Sequence, residues 1–139
     1  MPKLNYHEVE PVEIAMPDGI KLSARLWMPN DAHINPVPVL FEYIPYRKRD
    51  ISRLRDERNH AYFAASGYAS IRVDMRGSGD SGGVMPDMYS PTELNDAIQV
   101  INWLAEQSWC DGSVGMFGTS WGGTASLQAA VRCPKHLKA

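Results

Sequence analysis

The chain is short of several things, and each shortage removes a class of function. It has only two cysteines, Cys110 and Cys133, in 139 residues. Two cysteines do not make a disulfide framework. Together with His136 they also lack the spacing of a zinc-ligand set, so neither a stapled scaffold nor a metal centre is expected. No run approaches the ~20 apolar residues that a bilayer-spanning helix needs. The first ten residues, Met1-Pro-Lys-Leu-Asn-Tyr-His-Glu-Val-Glu10, are polar and acidic. They hold no apolar signal-peptide core, which predicts a cytoplasmic chain without a membrane partner. Charge of one sign is scarce too: the net charge is −2, so nucleic acid is not an expected partner. The six basic residues from Arg47 to Arg58 are mixed with three acidic ones and read as a solvated loop and helix start. The last absence has the most consequence. The nineteen residues after Ser120 contain no Asp and no Glu.

What is present describes one ordinary globular domain, with 44% hydrophobic and 22% charged residues. Val12 and Ile14 alternate with polar neighbours, as do Leu22, Ala24 and Leu26. Asp18-Gly19 between the two runs predicts a hairpin. Val37 to Ile44 is nearly continuous in apolar residues, the pattern of a strand covered on both faces. A helix is expected over about 56–65, with Ala61, Ala64 and Ala65 inward and Gly67 as its stop. Tyr68 to Asp74 reads as a strand, followed by the glycine-rich loop Arg76-Gly-Ser-Gly-Asp-Ser-Gly-Gly83. Ser90-Pro91-Thr92-Glu93 has the form of a capping box, and an apolar stripe from Leu94 to Ala105 continues it as a helix. A hairpin followed by β-α-β-α-β-α gives an α/β fold with a mostly parallel sheet. Tyr46, the loop after Asp74 and Ser120 all fall at carboxyl ends of strands, where α/β proteins place their sites.

Gly118-Thr119-Ser120-Trp121-Gly122-Gly123 reads G-x-S-x-G-G, between a strand-like Val114-Gly-Met-Phe117 and a helix-like Thr124 to Val131. That context makes it a nucleophile elbow. Side chains at 118 or 122 would clash in such a turn, Ser120 would stand clear of the backbone, and the Trp121 N–H would face a developing oxyanion. In this architecture the acid and the histidine follow the serine, and no acid follows Ser120 here. His136, sixteen residues on, is not expected to be the general base. Gly79-Asp80-Ser81-Gly82-Gly83 spells the serine loop of chymotrypsin-like proteases, but those are β-barrels with His and Asp upstream in suitable loops. Ser81 is therefore read as a loop residue. Asp74 and Arg76 are expected to form a buried ion pair that fixes this loop, and Trp103, Trp109 and Trp121 to be core or rim aromatics.

Taken together, Met16-Pro-Asp-Gly-Ile-Lys-Leu22, Ile44-Pro-Tyr46-Arg-Lys48, Gly67-Tyr-Ala69, Asp74-Met-Arg76-Gly77-Ser-Gly79, Trp109-Cys-Asp-Gly112 and the elbow resemble the N-terminal part of α/β-hydrolases of the X-Pro dipeptidyl-peptidase and cocaine-esterase type, over roughly residues 8–139. The resemblance implies a serine hydrolase acting on esters or amides through an acyl-enzyme, without cofactor or metal. It implies Ser120 as nucleophile, with the Tyr46 hydroxyl and the Trp121 backbone N–H as oxyanion donors. Members of that family are several times longer. They add a helical cap, the triad acid and histidine, and a jelly roll. The expectation is thus a nucleophile-bearing portion that is inert alone, with the far side of the elbow strand left as a bare apolar edge. The competing expectation is a non-catalytic chain that binds a partner, or a half completed by a second chain.

Overall fold

A computed structural model describes residues 5–139. The chain runs β1 (Tyr6–Ala15), β2 (Lys21–Pro29), β3 (Val37–Ile44), α1 (Arg53–Ala65), β4 (Ala69–Asp74), α2 (Pro91–Ala105), β5 (Cys110–Met116) and α3 (Trp121–Val131). The hairpin turn closes where Asp18-Gly19 predicts it: the Gly19 N–H donates to the Met16 carbonyl at 2.9 Å, and Asp18 Oδ1 accepts from the Ile20 N–H at 3.1 Å. The β1–β2 register shifts between Val9 and Val12, around Pro11, which has no N–H to give a ladder.

The five strands lie in the order β1-β2-β4-β3-β5. β3 pairs in parallel with β4 and with β5, while β2 pairs antiparallel with β1 and with β4. The sheet is therefore mixed. Its parallel part, β4-β3-β5, carries the helices, and the hairpin joins it through β2. This is an incomplete α/β-hydrolase sheet.

The two faces of the sheet differ in chemistry. One is an apolar core of Leu22, Leu26, Phe41, Ile71 and Val114 packed with Val100, Ile101 and Leu104 of α2 and Ala125 and Ala129 of α3. Each fully buried Leu, Ile, Val or Phe there contributes about 1.5–3 kcal/mol of transfer free energy. The other face, under α1, is buried but ionic: Arg25, Glu42, Ser70 and Arg72 all lie buried there. Helix α1 answers with a polar stripe. Its buried residues are Asp56, His60 and Ala64, spaced four apart on one helical face. The inward stripe expected at Ala61, Ala64 and Ala65 thus holds only at Ala64, since Ala61 is half-buried and Ala65 exposed. The charges on β3 and β4 select Asp56 and His60 instead.

Residues at the chain's far end turn back along β5. The Val114 N–H donates to the His136 carbonyl at 2.9 Å, the Lys138 N–H to the Val114 carbonyl at 2.8 Å, and the Met116 N–H to the Ala139 carbonyl at 2.8 Å. The expected bare edge of the elbow strand is thus covered from Val114 to Met116 by a short parallel segment. Among the described residues, no helix is long and apolar enough to cross a membrane.

Candidate active site

β5 delivers the chain to the carboxyl side of the sheet, where the Phe117 N–H still donates to the Phe41 carbonyl at 3.1 Å. The chain then reverses into α3 through Ser120, whose backbone has φ 57° and ψ −118°. A β-carbon meets its own backbone in that conformation, at a cost of order 1–3 kcal/mol. Ser120 is exposed, and Trp121 is the first residue of α3. An N–H at that position has no acceptor within its own helix. The flanking glycines are required by close approach. A β-carbon on Gly118 would overlap the backbone of Gly122, and one on Gly122 would lie 2.6 Å from Ile44 Cγ2. The same contact packs the start of α3 onto the end of β3.

Tyr46 lies half-buried two residues beyond β3, the strand that is the parallel neighbour of β5. Its loop is clamped from one side. The Lys48 N–H donates to Asp74 Oδ1 at 2.9 Å, and the Lys48 ammonium reaches Asp80 Oδ2 at 2.5 Å and Asp74 Oδ2 at 3.5 Å. Lys48 is fully buried, so the reading of the Arg47–Arg58 run as solvated fails at this residue. Its two carboxylate partners come from β4 and the following loop, a pairing no local pattern announces. The ammonium beside Asp80 holds that carboxyl below the usual range.

Trp121 is held from its side chain. The indole Nε1–H donates to Glu93 Oε1 at 2.8 Å, and the ring lies 5.4 Å from that of Tyr89. Glu93 Oε2 accepts from the Tyr89 N–H at 2.9 Å. Ser90 caps α2 as expected, its Oγ accepting from the Glu93 N–H at 3.2 Å. The Glu93 side chain does not complete the box on Ser90, however. It reaches instead to residues 89 and 121, which sequence reasoning missed because the local motif already accounts for a glutamate there.

The other candidates separate. Asp74 and Arg76 are both in buried ion pairs, but not with each other. Asp74 pairs with Arg72 and Lys48. Arg76 forms a two-point pair with Asp96 of α2, at 2.7 and 2.8 Å, and reaches Asp18 at 2.7 Å. The chain turns at Met75, so the two residues are drawn to different elements. The Asp96 and Asp18 bonds push the Arg76 guanidinium still further toward its charged form. Ser81 is a staple: its hydroxyl donates to the Asp74 carbonyl at 2.6 Å and accepts from the Ser23 N–H at 2.8 Å. His136 lies beside Gly112, its ring 3.1 Å from that carbonyl, at the opposite end of β5 from Ser120. Cys110 is buried and Cys133 exposed, both as free thiols, and burial pushes the Cys110 thiol up. Trp109 is buried and Trp103 packs against the core.

Glu42, Asp56 and His60 bring ligand atoms within 4.8 Å of one another. Cations already occupy that cluster. Arg55 bridges Glu42 and Asp56 at 2.7 Å each, and Arg72 Nε stands 3.3 Å from Asp56. His60 lies 2.7 Å from Ser70 Oγ and 3.3 Å from Glu42. These three have the composition of a catalytic triad, but all are buried beneath α1, and the His60 ring is stacked against Trp27.

Comparison with known proteins agrees with this geometry. The family described as X-Pro dipeptidyl-peptidase (S15 family) matches residues 18–139. Cocaine esterase from Rhodococcus sp. (strain MB1 Bresler) is 38% identical over 137 residues, covering 97% of this chain and 23% of the esterase. A CocE/NonD family hydrolase from Staphylococcus aureus superposes with a TM-score of 0.82 at 26% identity, covering 96% of this chain and 26% of that one. An α-amino acid ester hydrolase superposes with a TM-score of 0.76 at 26% identity, over 97% of this chain and 24% of that one. The chain thus spans about a quarter of the length of these relatives. With its elbow, its sheet order and this match over most of its length, the chain belongs to the X-Pro dipeptidyl-peptidase (S15) family of hydrolases.

Proposed function

We propose that these residues supply the nucleophile and both oxyanion donors of a serine hydrolase that cleaves an ester or an amide, X-Pro peptide bonds included, through an acyl-enzyme. The observation that carries this reading is the Ser120 backbone, an exposed serine held at φ 57° between a strand and a helix start. Such strain persists only where the surroundings impose it, and it clusters at functional sites. The names of the relatives, an esterase and an ester hydrolase, and of the family, a peptidase, favour acyl transfer.

In the reaction, Ser120 Oγ bonds to the substrate carbonyl carbon, its proton passes to a general base, and the carbonyl π electrons move onto oxygen. The Trp121 N–H and the Tyr46 hydroxyl receive that oxyanion. When the carbonyl re-forms, the bond to the alcohol or amine breaks, the leaving group takes up the proton, and the acyl group stays on Ser120. Water then repeats the sequence and frees the acid. The base and its orienting acid come from outside these residues. Residues 121–139 contain no Asp and no Glu. His7, His33 and His136 lie toward the amino ends of the parallel strands, and His60 is buried.

The test is phosphonylation of the chain by a fluorophosphonate, with and without millimolar imidazole as a small external base, read by mass spectrometry. The expected result is an imidazole-dependent adduct on Ser120 that Ser120→Ala abolishes. An adduct spread over other serines, or none on Ser120 under either condition, would overturn the assignment.

A further inference from the structure

The charged cluster under α1 is filled by its own cations, and nothing in the structure shows a partner for the exposed apolar residues of α3. Glu93 differs from both. We infer that Glu93 is a positioning residue of the oxyanion site, acting through the Trp121 indole. This rests on the reading of Ser120 and the Trp121 N–H given above.

Glu93 is 4% exposed. Among the described residues, no lysine, arginine or histidine pairs with it at ion-pair distance, although every other buried carboxylate, at positions 42, 56, 74 and 96, has such a partner. A buried carboxylate without a cation is costly unless its lone pairs are satisfied. Both oxygens of Glu93 are used, and both on the same small structure. Oε1 takes the Trp121 indole N–H at 2.8 Å, and Oε2 takes the backbone N–H of Tyr89 at 2.9 Å. Tyr89 itself is held at φ 58°, with its ring against Trp121. The glutamate sits in the first turn of α2, whose dipole favours a negative charge there. It therefore ties the start of α2 to the first residue of α3, 28 positions away in sequence.

The consequence follows from where Trp121 sits. Its indole and its oxyanion-facing N–H share one α-carbon, directly after the strained Ser120. An oxyanion donor contributes only if its direction is fixed before charge develops. With its indole fixed by Glu93, Trp121 cannot swing its peptide plane as the first turn of a helix otherwise frays. The loop that carries Tyr46 has its own clamp in Lys48, which shares no residue with the Glu93 contacts.

The experiment uses the 139-residue chain as wild type, Glu93→Ala, Glu93→Gln, Trp121→Phe and the double variant Glu93→Ala/Trp121→Phe. It reads the rate of Ser120 phosphonylation in imidazole and the NMR signals of the Trp121 indole and backbone amide, with circular dichroism to certify folding. Glu93→Ala is expected to slow phosphonylation about tenfold, less than the about 10²–10³-fold loss when a donor is removed outright. Glu93→Gln, which keeps one acceptor oxygen, should fall between. In the Trp121→Phe background the Glu93 effect should vanish. In Glu93→Ala the indole N–H signal should move upfield and the Trp121 backbone amide should move with it. An equal slowing by Glu93→Ala with and without the indole would overturn the inference, because Glu93 would then act elsewhere. So would a Trp121 backbone amide unmoved in folded Glu93→Ala. If no variant, wild type included, is phosphonylated at Ser120, the reading of the nucleophile fails. The amide signals, which need no reactive serine, still decide the role of Glu93. A Glu93→Ala chain that does not fold leaves the decision to Glu93→Gln, where an unshifted indole and amide with a wild-type rate would overturn the inference.

Discussion

Ser120 concentrates the cost of this site in one backbone conformation. At φ 57° and ψ −118° its β-carbon is unwelcome, and only glycine would adopt that conformation freely. This gives a stability prediction separable from reactivity. Ser120→Ala and Ser120→Gly both lose the hydroxyl, but only the glycine relieves the strain. The glycine variant is expected to be more stable than the alanine variant by about 1 kcal/mol in denaturant unfolding, the low end of the strain estimate. Equal stabilities would mean that the elbow is not strained. At this scale the sequence was legible where the constraint is local. Ser120, Gly118 and Gly122 are read from a six-residue string. Lys48 and Glu93 were not legible, because each has a complete local explanation, as one cation of a mixed run or as one member of a capping motif. Their partners lie 26 and 28 residues away.

Among the elements, α1 departs furthest from expectation. Its residues show helical spacing, and the helix forms over Arg53–Ala65. Its inner face is nevertheless chosen by the sheet beneath it. Arg72 on β4 stands among Asp56, Asp74 and Glu42, and burial lowers its tendency to hold the proton while those carboxylates raise it. A buried ion pair is weak evidence of net stability, but removing one partner leaves the other charge uncompensated. Asp56→Ala is therefore expected to destabilise the chain by about 3–5 kcal/mol. Lys21→Ala, which breaks the exposed pair with Glu13, should cost less than about 1 kcal/mol. Urea titrations of the two variants check this, and comparable losses would mean that Asp74 and Glu42 suffice to compensate Arg72. The strands were read more closely, except that β5 begins at Cys110, ahead of the expected run from Val114 and through Asp111-Gly112, which read as a turn. β3 spans Val37–Ile44, as the sequence predicts, because a run apolar but for Glu42, between a proline-bearing loop and Pro45, leaves little freedom in its ends.

For the molecule as a whole, the elbow strand is the point of exposure. β5 has β3 on one side and residues 136–139 on the other, held by three backbone hydrogen bonds through Val114 and Met116. An unpaired strand edge is a template for association. Removing residues 135–139 is expected to increase self-association at matched concentration, seen as a larger species in light scattering, while the helix signal of the remaining chain persists. A truncated chain that stays as monodisperse as the parent would show that this segment does not protect the edge.

The sequence by itself determined the order and type of the elements, the hairpin turn, the elbow and the family, because each is written in short-range constraints: alternation, helical spacing, a cap, and glycines where no side chain fits. Tertiary structure alone decided which carboxylate meets which cation, that Asp74 and Arg76 part company, that α1 turns a polar stripe inward, and that Glu93 reaches Trp121. These are contacts between elements far apart in sequence. Many pairings of buried charges are compatible with one pattern of residues, and only the packing of strands and helices at fixed distances selects among them.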